Sequence, residues 1–205
     1  MKTGPRYKKA RRLGESVFDK TQSQKYALRN NARKEGGMGM KKKRATSDFG
    51  IQLIEKQRAK VTYGFGERQF KNLVEKILSK KGINITEELV KGLEMRLDNV
   101  IYRLGFAKTR QAARQMVNHG HINVNGKRMT IPSYTVSVGD VVTIRELSAK
   151  KALFKDLDAA IKEQKIPSWL TLDAGKKEAK VQGTPKLAAN ELAFDVSQIF
   201  QYYSK

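Results

Sequence analysis

The sequence predicts an α+β fold, in which mainly helical segments are combined with a small α/β module and preceded by a flexible basic N-terminal arm. After residue 46, apolar residues recur at three- and four-residue spacing in several segments, which is typical of amphipathic helices. Between residues 121 and 144 they alternate around an Asn-Gly dipeptide, which is typical of a β-hairpin. The module is therefore expected to contain two helices and a short antiparallel sheet.

The N-terminal arm, residues 1–45, is set apart by its charge. Residues 1–44 contain 15 basic and 3 acidic residues, so more than half of the net charge of +22 lies in the first fifth of the chain. Bulky apolar residues are few there, and such a composition cannot bury enough surface to fold alone. We therefore expect this arm to be flexible.

Two helices are predicted after the arm. Ser47 or Asp48 can cap the first helix, and Gly64 interrupts it. Gly82 ends the second, after which Thr86 can cap a further helical segment. The buried face of the second helix is predicted from its apolar stripe, Phe70, Leu73, Val74, Ile77 and Leu78.

The α/β module begins near Leu93 with a helix that Gly105 ends, and Thr109 can cap a second helix. Asn125-Gly126 is then the strongest two-residue hairpin signal, because both turn positions need positive φ. The core of the module is predicted from Leu93, Leu97, Val100, Ile101 and Leu104 in the first helix, Ala113, Met116 and Val117 in the second, and Ile122, Val124, Val136, Val138 and residues 141–144 in the strands.

Basic residues of the module lie at matching spacings. Arg96, Asn99 and Arg103 share one face of the first helix. Arg110 and Arg114 lie one turn apart on the second, which costs roughly 0.2–0.5 kcal/mol by repulsion in an isolated helix. A polyanion lying across these residues would remove that cost, so we interpret the module as a surface for folded RNA.

The C-terminal third gives weaker signals. Leu153, Leu157 and Ile161 indicate a helix that ends before Pro167. Residues 169–181 are expected to form short strands or loops. A final amphipathic turn is predicted from Val196, Ile199, Phe200 and Tyr203.

Composition excludes several classes of function. A net charge of +22 and a pI near 10.2 favour a polyanionic partner. The sequence contains no cysteine, which excludes disulfides and thiolate metal sites and fits a reducing compartment. His119 and His121 have no third ligand nearby that would make a zinc site, and no catalytic motif is found. We therefore expect neither an enzyme nor a bound cofactor or metal.

The chain resembles ribosomal protein S4 of the bacterial small subunit along nearly its whole length. The module resembles that family in Arg96-Leu97-Asp98-Asn99, Tyr102-Arg103-Leu104-Gly105-Phe106, Thr109-Arg110, Ala113-Arg114-Gln115, Val117, His119, Val124-Asn125-Gly126 and Pro132-Ser133-Tyr134. The flanks resemble it in Gly4-Pro5-Arg6, Arg11-Arg12-Leu13-Gly14, Asp48-Phe49-Gly50-Ile51-Gln52-Leu53, Glu55-Lys56-Gln57, Tyr63-Gly64, Glu67-Arg68-Gln69-Phe70 and Tyr203-Ser204-Lys205.

This resemblance implies that the module is inserted into a helical domain which the chain leaves and re-enters. The expected boundaries are 1–45 for the arm, 46–92 and 166–205 for the helical domain, and 93–165 for the module, with its core at 93–146. Many relatives bind zinc through N-terminal cysteines, whereas Ala10 and Tyr26 stand where such ligands would be expected. The resemblance therefore implies a form without that metal.

The resemblance also implies a structural constituent of the small subunit that binds rRNA early in assembly, at a junction of several helices, and contributes to decoding accuracy. Its expected partners are rRNA, neighbouring small-subunit proteins near the path by which the messenger enters, and its own messenger. Its expected location is the bacterial cytoplasm, with a plastid relative as the alternative. A free-standing RNA-binding factor and an RNA-modifying enzyme such as a pseudouridine synthase can share the same module.

The residues expected to contact RNA are basic or polar. They are Lys8, Lys9, Arg11, Arg12, Lys41, Lys42, Lys43, Arg44, Lys56, Arg58, Arg68, Lys71, Arg96, Asn99, Arg103, Thr109, Arg110, Arg114, Asn118, His119, Lys127 and Arg128.

Overall fold

The chain is described by a computed structural model over residues 4–35, 47–149, 151, 154, 157, 161, 164–173, 175–186 and 192–204. These residues form two compact units. The helical unit lies within residues 1–86 and 187–205, and the sheet unit lies within residues 87–186. The sheet unit is thus inserted into the chain of the helical unit, and the α+β class is confirmed.

The helical unit begins with packed structure rather than with an unstructured arm. Helix α1 spans Arg6–Leu13, two 3-10 turns span Glu15–Val17 and Asp19–Thr21, and helix α2 spans Gln24–Glu35. A hydrophobic cluster holds them, formed by Ala10, Leu13, Val17, Phe18, Tyr26 and Val61 with Ile54 packed against it.

The prediction of a flexible arm therefore does not hold for residues 4–35. Its apolar residues are few, but helical spacing points them inward, and Val61 of the next helix completes their core. Arg58 Nε also donates a hydrogen bond of 2.6 Å to the carbonyl of Leu13. The rest of the predicted arm, residues 36–45, lies outside the described residues.

Three further helices of the helical unit lie among the described residues. Helix α3 spans Asp48–Thr62 and α4 spans Glu67–Leu78. The predicted Ser47 cap is confirmed, since its hydroxyl accepts a 3.2 Å hydrogen bond from the amide of Gly50. The last helix of the chain, called α9 here, spans Val196–Tyr203 and begins at an Asp195 cap. It packs on α3, and the amide of Asp195 donates to Glu55 Oε2 at 3.0 Å.

The sheet unit carries three helices ahead of its strands. Helix α5 spans Ile85–Glu94, α6 spans Leu97–Arg103 and α7 spans Arg110–Asn118. Asn84, not Thr86, caps α5, because Asn84 Oδ1 accepts a hydrogen bond from the amide of Thr86 at 3.1 Å. The predicted helix starting at Leu93 is interrupted as well. Arg96 has an extended backbone and forms an isolated bridge with Thr135, so one helix ends at Glu94 and the next begins at Leu97.

The sheet has five antiparallel strands in the order β2-β1-β3-β5-β4. Strand β1 spans Ile122–Val124, β2 Lys127–Met129, β3 Val141–Ile144, β4 Leu170–Asp173 and β5 Glu178–Val181. The predicted hairpin turn is confirmed by the φ values of +50° at Asn125 and +76° at Gly126. Val136 and Val138, expected as strand residues, lie outside the named strands.

Strands β4 and β5 explain why the observed boundaries differ from the expected ones. β5 pairs with β3, so residues 166–186 belong to the sheet unit and not to the helical domain in which the sequence placed them. Short strands in this region agree with the expectation for residues 169–181. A short helix α8 spans Glu146–Ala149. The helix expected around Leu153 falls mostly outside the described residues, although Leu157 and Ile161 are buried in the core of the sheet unit.

Candidate nucleic-acid interface

The basic residues of α6 and α7 surround two buried carboxylates. Asp98, which is 4% exposed, binds Arg96 through two hydrogen bonds of 3.0 and 2.7 Å. The guanidinium of Arg114 approaches the same carboxylate at 3.4 Å. Asp98 therefore holds one arginine from the start of α6 and one from the middle of α7.

Glu94 at the end of α5 forms the second centre and is completely buried. Arg103 donates two hydrogen bonds to its carboxylate, at 2.8 and 2.7 Å, and Asn99 Nδ2 donates a third at 2.8 Å. Asn99 also accepts a hydrogen bond of 2.8 Å from Arg110 Nε. Asn99 thus connects Glu94 to helix α7.

We call these residues the α6–α7 network: Glu94, Arg96, Asp98, Asn99, Arg103, Arg110 and Arg114. It has four arginines and two carboxylates, so positive charge is in excess. The side chains of Arg103 and Arg114 keep 26% and 29% of their surface exposed. The guanidinium of Arg110 lies 4.3 Å from the ring centre of Tyr102, which restricts its orientation. Planar cations held in fixed orientations suit the bidentate binding of phosphate.

Arg96 and Asn99 do not share a solvent-facing surface with Arg103. They are only 4% and 2% exposed, and their side chains hold the two carboxylates. The spacing identified a common face correctly, but that face is covered within the unit. A direct RNA contact by either residue stays a prediction, and their observed contacts position Arg103, Arg110 and Arg114.

Thr109 has a defined structural role. Its hydroxyl accepts a hydrogen bond of 3.1 Å from the amide of Ala112, which confirms the predicted cap of α7. At the other end of this helix, Asn118 and His119 are exposed. His121 lies inside the unit instead, where its Nδ1 is 2.9 Å from the hydroxyl of Ser148. Burial lowers the pKa of His121, and the positive charge of Lys151 lowers it further, so the ring is neutral near pH 7.

The hairpin presents two more cations. Lys127 and Arg128 follow the turn and are exposed. The side chain of Arg128 lies across Gly120, whose positive φ and missing Cβ leave room for it. The turn itself is fixed by Asn125, whose side chain donates to Asp140 at 2.8 Å and accepts from the amide of Val141 at 2.8 Å.

In the helical unit the expected RNA contacts fall into two groups. Lys56 is 4% exposed, binds Glu67 and lies 4.3 Å from the ring centre of Tyr202. Arg58 binds Glu55 at 2.6 Å as well as the carbonyl of Leu13. Both therefore hold the helices together. The others lie on the surface of α1 and α4: Lys8, Arg11, Arg12, Arg68 and Lys71 are exposed and Lys9 is half-buried.

Four of the expected RNA contacts cannot be located, and two kinds of site are not found in the described residues. Lys41, Lys42, Lys43 and Arg44 lie outside the described residues. In the described part of the chain, no group of three or more His, Asp or Glu residues could hold a metal ion. No helix in that part is long and apolar enough to cross a membrane.

The sequence interpretation missed the acidic members of the α6–α7 network. Glu94 and Asp98 lie four residues apart among Arg96 and Arg103, and this alternation of charge was the available signal. The prediction considered only the basic residues, and so it did not include the two carboxylates that orient the arginines. Tyr102, whose ring lies against the guanidinium of Arg110, was likewise not predicted to belong to the site.

A small α/β unit with a preoriented cationic face on two helices and a hairpin defines an S4-domain protein. Residues 95–142 match the family described as S4 domain. Residues 1–94 match the family described as Ribosomal protein S4/S9 N-terminal domain.

Comparison with curated proteins gives the family. A protein of Chloroflexus aurantiacus named "Small ribosomal subunit protein uS4" is 41% identical over 205 residues, which cover 98% of each chain. Proteins of the same name from Parabacteroides distasonis and Listeria monocytogenes are 43% and 41% identical, and each match covers 99% of this chain and 98% of the relative. The chain belongs to the family of small ribosomal subunit protein uS4.

Proposed function

We propose that this protein is a structural constituent of the small ribosomal subunit and that it binds small-subunit rRNA through the α6–α7 network and the hairpin tip. The observation that carries the proposal is the set of partly exposed arginines held around Glu94 and Asp98. The names of the relatives support the ribosomal assignment.

The network supports phosphate binding because its geometry is fixed in advance. Free arginine side chains lose rotamer freedom on binding, at a cost of about 0.5–1.5 kcal/mol for each immobilised side chain. Arg103 and Arg110 are already held by Glu94, Asn99 and the ring of Tyr102. Less entropy therefore remains to be lost when a phosphate arrives, and a guanidinium fork can pair with two of its oxygens.

The other surface cations would act mainly through charge. Lys127 and Arg128 extend the positive surface of the sheet unit to the hairpin tip, and the helical unit has exposed cations of its own on α1 and α4. Lysines neutralise phosphates and release counterions, which makes binding salt-dependent without reading sequence. Folded RNA offers such proteins its shape, phosphates and 2′-hydroxyls rather than an open major groove.

The family resemblance also supports a more specific role for the protein in the ribosome. We propose early binding at one junction of several rRNA helices, contacts with neighbouring small-subunit proteins near the path of the entering messenger, and an influence on decoding accuracy. Binding to its own messenger and a location on cytoplasmic ribosomes of a bacterium belong to the same proposal. Footprinting on naked small-subunit rRNA should then protect one compact junction, whereas scattered protection would contradict the proposal.

The arginines of α7 provide a direct test. Replacing Arg110 and Arg114 with Ala leaves the buried Ala113, Met116 and Val117 unchanged, so the unit should stay folded. Binding to rRNA should weaken, and the slope of log K against log salt should become shallower by about 0.7–0.9 for each lost phosphate contact. Filter binding over a salt series, with circular dichroism as the folding check, measures both quantities.

A matched control removes the same charge elsewhere in the sheet unit. Lys176 and Lys180 are exposed and lie outside the α6–α7 network, so their double replacement by Ala should change affinity less than the arginine pair does. Equal effects of the two double variants would mean that only total charge matters, and the network would lose its assigned role. Co-sedimentation with small subunits separates a ribosomal constituent from a free-standing RNA-binding factor.

A further inference from the structure

Helices α1 and α2 of the helical unit form a cleft of about 300 Å³. Its lining combines two aromatic rings, Tyr7 and Tyr26, with three cations, Arg11, Lys25 and Arg29. A volume of this size lies at the lower end of the range for sites that take small ligands. Among the cleft residues only Arg11 belongs to the contacts expected from the sequence.

The two rings are stacked in a manner that leaves one face available. Their centroids are 5.5 Å apart and their planes are inclined by only 14°. Tyr26 is 8% exposed and belongs to the hydrophobic cluster, whereas Tyr7 is 52% exposed. Tyr7 is therefore held flat against a buried ring on one side, and its other side can accept a further planar group.

The polar surroundings indicate the chemistry of that group. The cleft lining contains no acidic residue, and Arg11, Lys25 and Arg29 take part in none of the ion pairs found among the described residues. A lining of this kind, with cations and no carboxylate, suits an anionic group such as a phosphate.

We infer that this cleft binds one unpaired nucleotide of a single-stranded RNA segment, with its base stacked on Tyr7 and its phosphate bound by Arg11 and Arg29. The inference rests on the proposed function, since rRNA supplies the segment, and it adds a site for a single base to a surface that otherwise contacts folded backbone. A planar base explains the open aromatic face, and a phosphate explains the cations beside it, which form no ion pair with any residue that the structure describes. An acidic peptide would use the cations but would leave the ring face without a partner.

The test uses the full-length protein and two fluorescent RNA probes of equal length and charge. One is a hexamer of adenosines, and the other is the corresponding hexamer whose residues lack bases. Replacing Tyr7 with Ala should weaken binding of the adenosine hexamer by roughly 5- to 150-fold, which is the usual range for loss of one stacked base. Tyr7→Phe retains the ring and should bind within about twofold of the unchanged protein.

Phe49 provides a matched control. It is also 52% exposed and is stacked on another tyrosine, Tyr202, at 5.5 Å, but it lies outside the cleft. Phe49→Ala should leave binding of the adenosine hexamer unchanged. Replacing Arg11 and Arg29 with Ala should weaken binding of both hexamers and make the salt slope shallower by about 0.7 for one phosphate.

Three results would overturn the inference: equal binding of the two hexamers by the unchanged protein, no effect of Tyr7→Ala, or an equal effect of Phe49→Ala. Binding of small-subunit rRNA is measured in parallel with the same preparations. If rRNA still binds tightly while the hexamer results are negative, only the nucleotide cleft is refuted. If the unchanged protein fails to bind rRNA, the proposed function itself is refuted.

Discussion

Glu94 is a completely buried carboxylate that depends on its neighbours for charge compensation. Its side chain accepts hydrogen bonds from Arg103 Nε, Arg103 Nη2 and Asn99 Nδ2. A buried ion pair contributes little net stability compared with an apolar pair, but removal of one partner leaves a buried charge unpaired. The carboxylate is thus more important for the placement of its partners than for the stability that it adds.

We expect Glu94→Ala to lower the free energy of unfolding of the sheet unit by about 3–5 kcal/mol, because Arg103 and Asn99 lose their buried acceptor. Chemical denaturation of the full chain measures this. Glu146, an exposed carboxylate at the start of α8, is the control, and Glu146→Ala should change stability by no more than about 0.5 kcal/mol. Equal losses in the two variants would show that the buried carboxylate has no special role.

Individual residues also mark the limit of what the sequence predicts about the site. Spacing placed Arg96, Asn99 and Arg103 on one face, and the structure brings them together. Spacing could not indicate that this face is covered, because the covering comes from the interruption at Arg96 and from its bridge to Thr135. If the helix from Leu93 were continuous, as predicted, Arg96, Asn99 and Arg103 would face the solvent.

At the level of elements, α1 shows how a basic helix can be packed. Its inward residues are Ala10 and Leu13, while Lys8, Arg11 and Arg12 face outward. The sequence interpretation used average composition, which is low in apolar residues, and so missed the periodicity. The caps at Ser47 and Thr109 were predicted correctly, because a cap depends only on residues nearby in sequence, whereas the cap at Asp195 was not predicted.

The packing of α1 can be tested with two leucines. Leu13 is 5% exposed in the hydrophobic cluster, and Leu28 on α2 is 70% exposed. Leu13→Ala should reduce the stability of the N-terminal helices by about 2–5 kcal/mol, and Leu28→Ala should change it by no more than about 0.5 kcal/mol. Hydrogen exchange of the α1 amides in the free protein measures both effects. Full exchange of these amides in the unchanged protein would show that the N-terminal segment is flexible after all, as the sequence predicted.

Helices α3 and α4 are joined by an ion-pair cluster that responds to pH. Burial alone would raise the pKa of Glu67, but hydrogen bonds from Lys56 and Lys60 outweigh it and hold that pKa below its usual value of 4.5. A carboxyl whose pKa is lower in the folded state stabilises the fold above pH 4.5, and this contribution is lost as pH falls through the folded-state value.

We therefore expect Glu67→Gln to be less stable than the unchanged protein at pH 6–7, and the difference to shrink as the pH falls below about 4.5. Urea denaturation midpoints recorded across this pH range provide the measurement. The side chain of Glu67 is half exposed, so added salt should reduce the difference at neutral pH as well. A difference that stays constant from pH 7 to pH 3 would contradict this interpretation.

On the scale of the whole molecule, the helical unit is built from two separate parts of the chain. Helix α3 comes before the sheet unit and α9 comes after it, yet the two pack together. The sheet unit is continuous within residues 87–186 and contains its own core. Family resemblance indicated this insertion, whereas periodicity alone gave no means of pairing α3 with a helix more than 130 residues away.

A chain that ends at residue 186 should therefore keep a folded sheet unit while its helical unit loses stability. Without α9, the apolar faces that Ile199 and Phe200 cover in the helical unit lose these partners. Limited proteolysis followed by mass spectrometry should then cut within α3 and α4 but spare residues 87–186. A chain that ends at residue 204 keeps α9 and is the control. Equal protease resistance of the two chains would show that α9 is dispensable.

Because α3 precedes the sheet unit and α9 follows it, the two helices are synthesised at different times. A ribosome adds roughly 5–20 residues per second, so α9 is completed about 6–25 seconds after the end of α4. Throughout that interval α3 has been made but its partner has not, while the inserted sheet unit is completed in between. The arginines of the α6–α7 network should therefore reach their final positions before α9 can pack on α3, although α3 is synthesised earlier than the network.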